Sequence, residues 1–185
     1  MKYKLTDETK IVCGRTLHRI VCVTAFASVS VGEAGGWVES EKNLSQDGNA
    51  WVYGNAWVYG DARVYGDAWV YGDAEVCGDA RVYGNAMVYG DARVYGNAEV
   101  YGDARVYGNA EVKQKSDYIV LKNCWSSGRY FTYTLSNDKW AVGCFHGTGE
   151  ELVRKAYSES ELKGKCYEAT VKCVQEIMRL IKENV

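Results

Sequence analysis

A six-residue phrase repeats without a gap from Ala50 to Val112, and it constrains the fold more than any other feature of the chain. Each hexad reads Val-Tyr-Gly-Asn/Asp-Ala-x, in which x is Trp, Arg, Glu or Met. Its valine recurs every six residues from Val52 to Val112, and Cys77 replaces one of the tyrosines. A fixed short period of this kind predicts a repeating backbone rather than an ordinary globular domain.

Each position of the hexad has its own physical role. Valine is β-branched and suits a short strand, and the alanine two residues before it points to the same side. The tyrosine and x flank the valine and therefore point outward. Glycine followed by Asn or Asp favours a tight corner, because these residues tolerate left-handed backbone best. Strand, corner, strand, corner predicts a solenoid with a Val/Ala interior.

The hexad resembles the repeat of left-handed parallel β-helices. That resemblance implies three hexads per coil, so that residues 18 apart stack at the strand spacing of about 4.8 Å. The lead-in Gly35–Ser45, followed by Asp47–Tyr53, is similar more narrowly to hexapeptide-repeat proteins of bacteriophages and prophages. The resemblance implies a fold and a phage context, and it implies no activity.

The predicted fold class is mainly β, in three parts. Residues 1–35 form an N-terminal β cap with a hairpin around Gly14-Arg15, and residues 36–113 form the β-helix. The repeat phase slips by two residues between Leu44 and Val52, which places a polar insert at a corner. Residues 117–185 form a small α+β domain in the order β-β-β-α-α, with its third strand over Lys139–Phe145.

Stacking by 18 sorts the outward residues into three faces. The first face carries an apolar aromatic strip, predicted to be an oligomer or partner interface because contiguous apolar surface usually marks one. Its residues are Trp51, Tyr53, Trp69, Tyr71, Met87 and Tyr89. The protein is therefore predicted to associate with itself, as a homo-oligomer and specifically a trimer, as the β-helix resemblance implies.

The other two faces carry charges. Glu75, Arg93 and Glu111 alternate on the second face, which predicts a ladder of ion pairs. The third face carries arginine at 63 and 81 and glutamate at 99 beside a tyrosine column. Because the arginines are scattered and offset by acids, nucleic-acid binding is disfavoured.

Enzymatic chemistry finds little support in the sequence. Acyltransferases that resemble this fold place a catalytic His on a coil, whereas the hexads contain none, and two His in the whole chain are too few for a three-His zinc site. The prediction is therefore a non-enzymatic protein without catalytic residues, metal or cofactor. A speculative C-terminal site comprises Cys144, His146 and Thr148, although Thr148 also fits a helix N-cap with Glu151 three residues on.

The amino-acid composition indicates the cellular compartment in which the protein acts. The chain has 22 basic and 24 acidic residues, so no bulk charge draws it to nucleic acid or membranes. Seven irregularly spaced cysteines suggest reduced thiols, and no stretch is long enough to span a bilayer, so a bacterial host cytoplasm is predicted.

Several functions stay open on these grounds. The protein could bind and inhibit a bacterial host defence protein. It could instead sequester a small ligand such as a signalling nucleotide in clefts between subunits, with Arg and Tyr holding phosphate and base. A structural virion component and an acyltransferase are the further alternatives.

Overall fold

The computed structural model describes residues 1–125 and 128–183. The chain forms two compact units, Met1–Lys115 and Ser116–Val185. Within the described residues, no helix is long and apolar enough to cross a membrane.

The first unit opens with an antiparallel hairpin. Strand β1 (Tyr3–Val12) pairs with β2 (Arg15–Cys22), and β2 pairs with β3 (Ala34–Val38). The turn lies at Cys13-Gly14, one residue before the predicted position, and both residues have left-handed backbone, with φ of 50° and 74°. Because β3 also pairs in parallel with the strand that begins at Trp57, the hairpin extends a sheet of the solenoid.

Short strands of two residues build the solenoid. They are β4 (Trp51–Val52), β5 (Trp57–Val58), β6 (Arg63–Val64), β7 (Trp69–Val70), β8 (Glu75–Val76), β9 (Arg81–Val82), β10 (Met87–Val88), β11 (Arg93–Val94), β12 (Glu99–Val100), β13 (Arg105–Val106) and β14 (Glu111–Val112). Each pairs in parallel with the strand 18 residues away, as Trp51 does with Trp69. The resulting sheets run β3-β5-β8-β11-β14, β4-β7-β10-β13 and β6-β9-β12. The predicted solenoid is confirmed, and its handedness stays a prediction.

The solenoid interior is the predicted one. Every hexad valine from Val52 to Val112 and every alanine from Ala50 to Ala110 is at most 1% exposed. The corners also follow the expected chemistry, since Gly84 has φ of 70° and a Cβ there would lie 2.9 Å from the Gly102 nitrogen. Burial of this repeated apolar pair is the main stabilising term of the unit.

Asn and Asp alternate along the first corner column and hydrogen-bond to each other. Asn49 Nδ2 donates to Asp67 Oδ1 at 2.7 Å, and Asn85 Nδ2 donates to Asp103 Oδ1 at 3.3 Å. Stacked carboxylates alone would repel one another at the strand spacing, so mixing in the neutral amide removes that cost.

Lys2 closes the N-terminal end of this unit over the corner before β4. Its side chain is buried, and its ammonium donates to the carbonyl oxygen of Ala50 at 2.8 Å and lies 5.0 Å from the centre of the Phe26 ring. Burial lowers the pKa of Lys2 to about 8. A lysine with so low a pKa in the folded chain releases its proton at a lower pH there than in the unfolded chain.

Lys2 should therefore make stability depend on alkaline pH. Between about pH 8 and 10 the unfolded chain holds more protons at this site, so the unfolding free energy of the wild type should rise there relative to Lys2→Met. We expect a relative gain on the order of 1 kcal/mol from pH 7.5 to 9.5. Urea unfolding of the wild type and of Lys2→Met across this pH range measures the gain. The titration of the tyrosines, which both proteins share, cancels in the difference. A difference that stays constant with pH would contradict the assignment.

The second unit packs a small sheet on two helices. Strands β15 (Tyr118–Lys122), β16 (Tyr130–Thr134), β17 (Lys139–Val142) and β18 (Phe145–Gly147) lie side by side in that order, followed by α1 (Gly149–Glu159) and α2 (Glu161–Glu183). The predicted third strand is thus two strands, because the chain reverses at Gly143-Cys144 and Gly143 supplies φ of 59°. The predicted turn at Ser126-Ser127 lies outside the described residues. Phe131, Trp140, Leu152, Val174 and neighbouring apolar residues form the core.

Candidate functional site

The third face of the solenoid carries a pair of like charges. Arg63 in β6 and Arg81 in β9 lie directly opposite each other in the parallel ladder. Adjacent like charges at strand spacing are destabilising, whereas the second face avoids them. There, Arg93 Nε lies 2.9 Å from Glu75 and its Nη1 lies 3.7 Å from Glu111, which confirms the predicted ladder of ion pairs.

Neither arginine of the third face has a close acidic partner. Arg63 makes no ion pair or hydrogen bond within the part of the chain that the structure describes. Arg81 Nη1 lies 4.0 Å from Glu99, whose carboxylate is held by Lys115 at 2.9 Å. That hydrogen bond from Lys115 lowers the pKa of Glu99, which keeps the carboxylate ionised and engaged with Lys115. The two arginines are therefore available to an external anion.

The segment before the hexads forms a wall beside these arginines. A short 3₁₀ helix spans Glu41–Asn43, and Leu44 then bridges Val64 in parallel. Asn43 is fully buried, and its amide donates to the carbonyls of Gly60 and Ala62 at 3.0 and 2.9 Å. These bonds fix the segment against the third face, because a buried amide is costly unless it is paired.

Between that wall and the third face lies a cavity of about 520 Å³. It is lined by Glu41, Lys42, Leu44, Ser45, Gln46, Arg63, Val64, Tyr65 and Arg81. The cavity thus brings together three basic side chains against a single acidic one, with two hydroxyls and an amide as further polar groups. Its volume falls within the range of small-molecule sites.

A tyrosine column ends at the same cavity. Tyr65 stacks on Tyr83 with ring centres 4.9 Å apart and an angle of 3° between the rings, and Tyr83 stacks on Tyr101 at 5.3 Å. Tyr65 is the first ring of this column, so its second face has no stacked partner among the described residues. A planar ring of a ligand could extend the stack there.

The predicted aromatic strip of the first face is only partly exposed. Trp51 is fully buried, which differs from the prediction, because Phe26 and Tyr3 cover it at ring-centre distances of 5.4 and 6.3 Å. Tyr53 is 46% exposed. The remaining residues are partly buried in this chain: Trp69, Tyr71, Met87 and Tyr89. The strip is therefore shorter than predicted, and association into a trimer stays a prediction.

The C-terminal candidates separate into a turn, a strand and a cap. Cys144 lies in the turn before β18 and is exposed, and His146 is exposed within that strand. No hydrogen bond joins the Cys144 thiol to His146 in the described structure. Thr148 caps α1 through its side-chain oxygen, which accepts from the Glu151 backbone N–H. The predicted thiol–imidazole pair is therefore not assembled, and the N-cap interpretation of Thr148 is confirmed.

Sequence reasoning missed the cavity, although half of its signal was visible. Stacking by 18 places Arg63 directly beside Arg81, and two adjacent like charges are a signal of an anion site. The other half comes from residues 41–46, which lie outside the regular period, so their position against β6 could not be read from spacing.

The repeat and the pairing of its coils define a hexapeptide-type β-solenoid. Residues 56–72, 74–90, 80–96 and 92–108 match the family described as YdcK beta solenoid repeat. Over 60 residues, the chain is 33% identical to a protein of Escherichia coli strain K12 named "Uncharacterized acetyltransferase YdcK". That match covers 28% of this chain and 18% of the relative, so the chain spans less than a fifth of the relative's length.

This similarity corrects the prediction of a non-enzymatic protein. Part of the solenoid resembles a protein that carries an acetyltransferase name, so absence of His from the hexads is not sufficient ground to exclude acyl transfer. Similarity to bacteriophage and prophage proteins, and with it a host defence partner or a virion role, stays a prediction.

Proposed function

We propose that the solenoid binds a phosphorylated small molecule with a planar ring, of the nucleotide type, in the cavity between residues 41–46 and the third face. The observation that carries this proposal is the unpaired arginine Arg63 directly beside Arg81 in a cavity of about 520 Å³. Phosphate oxygens accept charge-assisted hydrogen bonds from the planar guanidinium group, often two at once. An anion between the arginines would also remove their mutual repulsion.

The ring of the ligand has a matching surface in Tyr65. A base that stacks on the second face of Tyr65 would continue the column Tyr65–Tyr83–Tyr101 at the ring spacing already present there. Stacking of a base on an aromatic side chain is worth about 1–3 kcal/mol. Lys42 lines the same cavity and supplies a further donor, whereas the Gln46 amide already bonds to the backbone of Lys2 and Tyr3. This ligand corresponds to the nucleotide alternative of the sequence, now with its site within one chain.

Calorimetric titration with three probes tests the proposal. Pyrophosphate probes the arginines alone, adenosine probes the ring alone, and adenosine diphosphate probes both. We expect Arg63→Gln and Arg81→Gln each to weaken binding of pyrophosphate and of the diphosphate about 10-fold, through loss of about 1.4 kcal/mol. Tyr65→Leu should weaken binding of the diphosphate and leave pyrophosphate unchanged.

Arg93→Gln is the matched control, because Arg93 occupies the same hexad position but pairs with two glutamates on the second face. It should bind all three probes as the wild type does. Raising the salt concentration should weaken both anions, since the contacts are partly exposed. A wild-type protein that binds neither anion at millimolar concentration contradicts the proposal.

Acyl transfer is a second candidate function, favoured by the similarity to a protein named as an acetyltransferase. Acetyl-coenzyme A is itself a phosphorylated adenine nucleotide, so the same arginines and Tyr65 would hold the donor. Glu41, the acidic residue of the cavity, is then the group placed to accept a proton from an acyl acceptor. Release of free coenzyme A thiol from acetyl-coenzyme A, lost in Arg63→Gln, would support this function.

A further inference from the structure

Two cysteines lie near one tyrosine at the junction of the hairpin and the solenoid. The Tyr59 hydroxyl lies 3.9 Å from Cys13 Sγ and donates to Glu75 Oε1 at 2.5 Å. Tyr59 packs with Leu17 and Trp37, and Cys77 packs against the same cluster. Tyr59 thus contacts the Cys13 sulfur directly and belongs to the cluster against which Cys77 packs.

Cys77 replaces the tyrosine that the hexad carries at this position. The hexads around it carry tyrosine at this position, and tyrosines 18 residues apart stack on each other in the other columns, as Tyr71 and Tyr89 do at 4.8 Å. In the second column Tyr59 is instead buried under the hairpin. A thiol therefore stands where the repeat would place a ring, against the cluster of Leu17, Trp37 and Tyr59 on which the hairpin packs.

Cys13 occupies an unfavourable backbone position. It is the first residue of the tight turn Cys13-Gly14 and has φ of 50°, a conformation that Gly, Asn or Asp adopt at lower cost. Its side chain is exposed. The turn is held near Tyr59 by Arg15, whose Nη1 lies 2.8 Å from Glu39. A cysteine here has no conformational advantage, which points to its thiol as the feature in use.

We propose that Cys13 and Cys77 form a thiol oxidation site, at which a low-molecular-weight disulfide such as oxidised glutathione joins them in an intramolecular disulfide. The exposed Cys13 thiolate attacks one sulfur of the oxidant and releases one glutathione thiolate. The Cys77 thiolate then attacks the Cys13 sulfur of the mixed disulfide and releases the second. Two protein thiols are oxidised, one S–S bond forms, and the oxidant is reduced to two glutathione thiols that take up the two protons.

The order of attack follows from exposure and acidity. Burial raises the pKa of the Cys77 thiol, so Cys77 reacts slowly with an oxidant in solution. Cys13 lies at the tip of a hairpin and can approach Cys77 as the tip bends. The product would fasten the hairpin to the coil that carries Cys77 and close a long loop of the chain, which restricts the unfolded state.

Thiol counting and peptide mapping on the full chain test the site. The reduced protein is incubated with oxidised glutathione, remaining thiols are alkylated, and trypsin then cuts at the basic residues. Loss of two of the seven thiols, together with a cross-linked pair of peptides 11–15 and 64–81, is the expected result. The melting temperature should rise by roughly 5–10 °C and return on reduction.

Cys13→Ser and Cys77→Ser should each abolish the cross-linked pair and the rise in melting temperature. Cys173→Ser, which removes an exposed thiol of the second unit, is the matched control and should retain both. The proposal is overturned if Cys13 stays a mixed disulfide with glutathione in the wild type, or if Cys13 or Cys77 pairs with another cysteine. It is also overturned if the Cys13→Ser chain gains the same thermal stability on oxidation.

Discussion

Val82→Asp is expected to unfold the solenoid. Val82 is fully buried and stacks between Val64 and Val100 in the third sheet, where the repeated Val/Ala interior offers no partner for a charge. An unpaired buried carboxylate costs several kcal/mol even after relaxation, and a folded domain has only about 5–15 kcal/mol in total. We expect a loss on the order of 5 kcal/mol or more, seen by circular dichroism as loss of the β signal and of a cooperative urea transition.

Arg81→Asp is the matched control for this substitution. It introduces the same carboxylate one residue earlier, where the side chain is 57% exposed and points away from the interior. The control should lose about 1 kcal/mol at most, because the ion pair it removes is long and solvated. A Val82→Asp chain that unfolds at the same urea concentration as the Arg81→Asp chain would show that the interior tolerates charge, and the packing described above would then be wrong.

The regular part of this fold could be predicted because each hexad repeats the same physical constraints. A single valine in a sequence is compatible with several structural environments. Valines that recur every six residues without interruption must all lie on the same side of the chain, and that side must face the interior. The same reasoning predicts that Glu75 lies beside Arg93 and Arg63 beside Arg81, and both neighbours are present in the parallel ladders. The periodicity therefore predicts which residues fill the interior and which outward residues lie next to each other in a column.

Residues outside the period could not be placed in this way. Leu44 bridges Val64, 20 residues on rather than 18, because the chain carries two extra residues before the hexads begin. The two-residue slip is visible in the sequence. The position of residues 41–46 against the third face, however, depends on long-range hydrogen bonds, such as the one that Tyr3 Oη donates to the Leu44 carbonyl at 2.6 Å. The cavity depends on this segment, so only its arginine half was accessible to sequence reasoning.

The C-terminal unit shows a different limit. Its two helices follow from amphipathic spacing and from the cap at Thr148, and both are present as Gly149–Glu159 and Glu161–Glu183. The predicted pairing of Cys144 with His146 assumed one continuous strand, whereas a two-residue turn at Gly143-Cys144 reverses the chain. Glycine at a left-handed position was the available signal for that turn.

Trp51 shows how the non-periodic N-terminus changes the role of a periodic residue. Its place in the column is that of an outward residue, one coil before Trp69, yet it is fully buried beneath Tyr3 and Phe26. The backbone is shaped around it, since a Cβ at Gly35 would lie 2.7 Å from the Trp51 ring. A residue predicted to contribute to an interface is therefore a core residue that holds the N-terminal cap on the solenoid.

Trp51→Ala is accordingly expected to cost about 3–5 kcal/mol of unfolding free energy, because truncating a buried Trp loses its burial and leaves a cavity. Trp69→Ala, at the paired and only partly buried position of the next coil, should cost about 1–2 kcal/mol. Trp51→Phe should recover much of the loss, because it retains a ring and removes an indole N–H that has no acceptor in the described structure. Urea unfolding of the three chains gives the ranking. If Trp51→Ala cost no more than Trp69→Ala, the N-terminal residues would not cover the solenoid in solution, and Trp51 would return to the exposed strip of the first face.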